Sequence, residues 1–210
     1  MNAPVYKLQR QDTSSIPTII FALLIVNGLV FALQQVSHEF MMLNFALWPY
    51  GDPISPFAPW QILTYGFLHG GVGHIFFNLF GLWMFGRDLE RMMGAKRFLI
   101  YYLTCVVGAG LIQLIVAGIQ GGFPYPTVGA SGGVFGILLA YGMTYPNRMI
   151  MLMIPPIPMK AKYFVLFYGL LELYLGVSGN APGVANFAHL GGMLFGFLLL
   201  MYWKKPKSRG

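Results

Sequence analysis

The chain is 210 residues long, 57% hydrophobic and only 9% charged, with a mean hydropathy of +0.65 and a formal net charge of +7. About a quarter of an average soluble domain is charged, so these values exclude a soluble globular protein and point to one integral membrane domain. All 13 Lys and Arg fall in tails and loops, so the basic balance reads as charge facing anionic lipid, not as a nucleic-acid surface.

Apolar segments of roughly 17 to 25 residues are the length needed to span a bilayer. Six are predicted. The first is "PTIIFALLIVNGLVFALQQV" (17–36); no small-residue cleavage site precedes it, so it reads as an anchor and not a removed leader. A loop at 37–59 follows, apolar and aromatic but broken by Asn, Gly, Asp and Pro. It is expected either to lie in the outer-leaflet interface or to form a lid over the bundle. The second span is "HIFFNLFGLWMFG" (74–86), with an apolar lead-in from Trp60. The third is "FLIYYLTCVVGAGLIQLIVAG" (98–118), with the single cysteine, Cys105, midway along it as inert packing. The fourth is "GASGGVFGILLAYGMTYP" (129–146), the fifth "YFVLFYGLLELYLGVSG" (163–179) and the sixth "FAHLGGMLFGFLLLMYW" (187–203).

The basic residues orient these spans. Lys7 and Arg10 lie in the N-terminal tail, and Arg87, Arg91, Lys96 and Arg97 lie between spans two and three. Arg148, Lys160 and Lys162 lie between spans four and five, and Lys204, Lys205, Lys207 and Arg209 in the C-terminal tail. The other three loops have none. Both termini are therefore expected to be cytoplasmic, with an even number of spans. The predicted fold is an all-α, polytopic six-helix bundle of the cell (inner) membrane. It has tails at 1–16 and 204–210, a membrane domain at 17–203, and an external loop between helices 1 and 2 that is partly embedded.

Polar side chains inside such a domain are functional hypotheses by default. Ser131, His69, His74, Asn78 and His189 come from three different spans, yet all fall in the outer third. His74 and Asn78 are four residues apart, about 40° round a helix, and share a face. Ser131 and Phe135 have the same spacing. Gly192 and Gly196 follow His189 on its own face and form a small-xxx-small seam, matched by Gly132 and Gly136 in span four. Two glycine seams, one bearing the serine and one the histidine, bring Ser131 within expected hydrogen-bond reach of His189.

A serine beside a neutral histidine is the minimum for nucleophilic catalysis. No acid to orient the imidazole can be assigned. Glu172 is the one carboxylate inside a span, and nothing in the sequence sets it against His189, so packing is its default role. Phe135 is spaced to orient the ring instead. His74, Asn78 and the backbone N–H of Ser131 are candidate donors to an oxyanion. A metal site on His69, His74 and His189 is the rival chemistry. The five-residue separation of His69 and His74, about 140° round a helix, argues against it, and neither metal nor cofactor is expected.

These residues resemble the motifs of rhomboid intramembrane serine proteases. "GASGGVFG" (129–136) is similar to the family's GxSG, "AHLGGMLFG" (188–196) to AHxxGxxxG, and "HGGVGHIFFN" (69–78) to HxxxxHxxxN. "ERMMGAKRF" (90–98) resembles its cytoplasmic segment between helices two and three. The resemblance runs from about 17 to 203 and implies the basic six-helix form. It implies Ser131 as nucleophile and His189 as base, acting as a dyad without an acid. It implies His74, Asn78 and the backbone of Ser131 as the oxyanion site, with Gly129 shaping that backbone and His69 tying the external loop to the bundle. The implied substrates are transmembrane proteins, cut in or beside a membrane helix that approaches sideways from lipid past helix five. One departure stands out: Gln61 follows Trp60 where many members carry Trp-Arg, which bears on how the loop is anchored. The alternative function is an inactive relative that binds and escorts transmembrane helices. Such relatives typically lack the serine or histidine that this chain keeps. The sequence sets neither a substrate nor an oligomeric state.

Overall fold

The structure is a computed structural model describing residues 17–53, 55, 57–121, 126–151, 156–180 and 184–204. The N-terminal tail (1–16) and the C-terminal tail beyond Lys204 lie outside the described residues, as does part of the loop before the sixth predicted span. Eight α-helices are described: α1 (Thr18–Val36), α2 (His38–Phe45), α3 (Gln61–Thr64), α4 (Val72–Met93), α5 (Ala95–Gln120), α6 (Ser131–Thr144), α7 (Ala161–Ser178) and α8 (Asn186–Lys204). The six predicted spans correspond to α1, α4, α5, α6, α7 and α8. Four of these, α1, α5, α7 and α8, are long and apolar enough to cross a membrane. The chain is a helical, multi-pass membrane protein.

Two elements depart from the predicted arrangement for physical reasons. The helix of span two continues to Met93, beyond the apolar run that ends at Gly86, and its last turns carry Arg87, Asp88, Glu90 and Arg91, which hydropathy does not register. Glu90 is buried there and accepts from the N–H groups of Ile19 (2.9 Å) and Ile20 (2.8 Å). A carboxylate from a distant helix thus satisfies the orphan donors at the start of α1, where Pro17 offers no side-chain cap. The second departure is a small hairpin in the basic segment read as a plain loop. Strand β1 (Met149–Met151) pairs antiparallel with β2 (Pro158–Lys160), Ile150 opposite Met159. An isolated two-stranded ribbon is marginal alone, and here both strands pack on α7.

The centre of the bundle is α6, packed against α4, α5, α7 and α8. Its glycines permit this: Gly132, Gly133 and Gly136 are all buried. A Cβ on Gly192 of α8 would collide with the Gly132 carbonyl, so the two backbones touch directly. The seam splits lower down. Gly196, expected to continue the α6 contact, lies instead against Tyr101 and Cys105 of α5, while Gly136 stays in contact with the Gly192 carbonyl. Tyr101 locks this junction by donating its hydroxyl to the Gly136 carbonyl at 2.7 Å.

The segment at 37–59 is knitted to the bundle. Ala46, Leu47 and Trp48 are buried, Leu47 forms a two-way backbone bridge with Thr127, and the Trp60 indole donates to the Asn44 carbonyl at 2.8 Å. Gln61 answers the Trp-Gln departure. Its buried side-chain oxygen accepts from the N–H groups of Ala58 (3.2 Å) and Trp48 (3.3 Å), so a neutral amide anchors the segment from within.

Candidate active site

Ser131 is the first residue of α6, where the helix's opening N–H groups have no acceptor within the helix. The turn before it needs glycine, because Gly129 has φ +126 and its N–H donates to the Tyr65 carbonyl at 2.9 Å. A side chain at 129 would also strike the His74 ring.

Ser131 Oγ lies 2.8 Å from Nε2 of His189, on the first turns of α8. Phe135, one turn below Ser131, stacks flat on the imidazole with ring centroids 4.3 Å apart and planes at 6°. The serine, histidine and ring thus meet across the glycine contact between α6 and α8.

The α4 residues face the same space. His74 Nδ1 accepts from the Gly70 N–H at 3.2 Å, so a neutral ring carries its proton on Nε2, the nitrogen beside Gly129. Asn78, one turn further, gives one amide hydrogen to the His74 carbonyl at 3.0 Å and has a second to offer. His74, Asn78, Ser131, Phe135 and His189 all line one cavity of about 1180 Å³, which extends between α4 and α7 past Phe77, Phe80, Phe167 and Tyr168.

His69 is placed differently. Its backbone is held by the Gln34 side chain of α1, which accepts from the His69 N–H (2.9 Å) and donates to its carbonyl (3.2 Å). Its ring is buried edge-on against His74, centroids 5.2 Å apart. Among the described residues no three His, Cys, Asp or Glu side chains group as metal ligands.

Three residues went unassigned in the sequence. Gln34 is one. The others are Glu172 of α7, whose Oε2 lies 2.9 Å from His189 Nδ1, and Asn186, whose Nδ2 donates to the same oxygen at 2.6 Å. A signal existed, since Asn186 and His189 are three apart and share a face of α8. What was missing was the position of α7 beside them.

Known proteins bear on this arrangement. A profile of the Rhomboid domain matches residues 56–205. Rhomboid protease GluP of Bacillus subtilis is 31% identical over 151 residues, 71% of this chain and 27% of that protein. Rhomboid protein 1 of Saccharomyces cerevisiae mitochondria is 30% identical over 199 residues, 91% of this chain and 55% of its own length. YdcA of Bacillus subtilis, also bearing a rhomboid name, is 29% identical over 194 residues that cover 91% of this chain and 90% of YdcA. The chain thus spans about a quarter and about half the length of the first two relatives, and nearly all of the third.

Proposed function

The chain belongs to the rhomboid family, and on that premise we propose that it is an intramembrane serine endopeptidase whose nucleophile is Ser131 and whose base is His189. The observation that carries this reading is the 2.8 Å approach of Ser131 Oγ to His189 Nε2. In the reaction, Oγ attacks the substrate carbonyl carbon as its proton passes to Nε2. Negative charge then grows on the carbonyl oxygen, where the Ser131 N–H, His74 Nε2–H and Asn78 amide converge to stabilise it. Collapse gives the proton from His189 to the departing amine and leaves an acyl-enzyme on Oγ. Water, deprotonated by the same imidazole, hydrolyses that ester. Phe135 keeps the ring in register by stacking, Gly129 shapes the turn that presents Ser131, and His69 fixes the chain ahead of α4.

The substrate class in this reading is a transmembrane helix. The cavity wall between α4 and α7 is lined by Phe77, Phe80, Phe167 and Tyr168, an apolar path by which a helix reaches Ser131 sideways from lipid. We further propose six spans over 17–203, with both termini and flanking tails cytoplasmic in a cell (inner) membrane. Support comes from α4, whose charges are confined to its last turns, and from the central packing of α6. At 14 residues α6 rises about 21 Å, short of a hydrocarbon core of about 30 Å, which recesses Ser131 below the outer surface.

Fluorophosphonate labelling tests the nucleophile. The wild type in detergent is expected to label on Ser131, with Ser131→Ala and His189→Ala unlabelled. Equal labelling of Ser131→Ala contradicts the assignment.

A further inference from the structure

We propose that Glu172 is a positioning residue for the base, making the site a Ser131–His189–Glu172 arrangement in which the carboxylate on α7 supports the imidazole on α8. This inference rests on the serine-protease reading above. Glu172 is buried in a membrane helix, where a carboxylate is costly without a partner. Its Oε2 lies 2.9 Å from His189 Nδ1, opposite the nitrogen that faces Ser131. Asn186 holds that same oxygen at 2.6 Å from one turn earlier on α8, so the oxygen is fixed and not swinging. The ring N–H is angled off the oxygen, so the carboxylate acts chiefly through its charge.

That charge has two effects. It favours the tautomer with the proton on Nδ1, which leaves the Nε2 lone pair to receive the Ser131 proton. It also stabilises the imidazolium that exists only after that transfer. The proton moves from Oγ to Nε2 and later to the leaving amine, while Nδ1 keeps its own proton and Glu172 stays ionised throughout. Around the ring, Ser131 and Phe135 come from α6, Glu172 from α7 and His74 from α4. Phe135 fixes the plane of the imidazole, and Glu172 supplies the opposite charge.

The test is steady-state cleavage of a transmembrane reporter in liposomes by wild type, Ser131→Ala, Glu172→Gln, Glu172→Asp and Asn186→Ala. Glu172→Gln keeps the size of the side chain and an acceptor for Asn186 while removing the charge. It is expected to lower kcat about 10- to 100-fold with KM within about twofold. Glu172→Asp is expected to recover part of that loss, and Asn186→Ala to show a smaller loss in kcat alone. A folded Glu172→Gln protein with wild-type kcat overturns the inference while leaving the protease reading intact. If Glu172→Gln does not fold, a folded Glu172→Leu, which also removes the charge, overturns it equally by keeping wild-type kcat. A wild type that cleaves no better than Ser131→Ala overturns the protease reading and this inference with it.

Discussion

Asn78 and His74 line the same cavity as Ser131, and in the proposed reaction they donate to charge that exists only in the transition state. Removing one such donor should therefore lower kcat and leave KM nearly unchanged. For Asn78→Ala the expected loss is on the order of 10²-fold in kcat, read by reporter cleavage. At this scale, spacing made His74, Asn78, Ser131, Phe135 and His189 legible. Glu172 was not, because a contact between α7 and α8 depends on helix rotation that no periodicity fixes.

Between elements, the contact of Gly192 with the Gly132 carbonyl sets the separation of α6 and α8, and with it the distance from serine to histidine. The atom that a methyl group at 192 would meet is backbone and cannot turn aside. Gly192→Ala is expected to cost about 1–3 kcal/mol and to reduce cleavage by more than the lost stability accounts for. Gly118→Ala on α5, where a Cβ meets nothing, serves as the control and should leave activity and unfolding temperature unchanged. Apolar length located the six long helices to within a few residues, except at the charged end of α4. The Glu90 contact with the start of α1 and the β1–β2 hairpin escaped the sequence reading because both depend on where the chain returns. Hydropathy does not carry that information.

Among the described residues the basic side chains lie at the far ends of α4 and α8 and around the α4–α5 and α6–α7 connections, away from Ser131 at the start of α6. Arg148 pairs with Asp88 at 2.8 Å, joining the hairpin segment to the end of α4, and Arg97 lies over the Trp203 ring at 6.0 Å near the end of α8. The opposite end has Ser131, and the apolar cavity runs from it between α4 and α7 past Phe85 toward Ile150 and Met151 of the hairpin. The charge pattern made this polarity readable from sequence, since segments rich in Lys and Arg alternate with segments that have none. The most direct test of intramembrane proteolysis is mass-spectrometric mapping of products when the purified protein and a single-span reporter share one liposome. Wild type is expected to make one principal cut in or next to the apolar segment, near its outer end, and Ser131→Ala to make none. Cuts confined to the reporter's soluble portions, or the same cut made by Ser131→Ala, would contradict it.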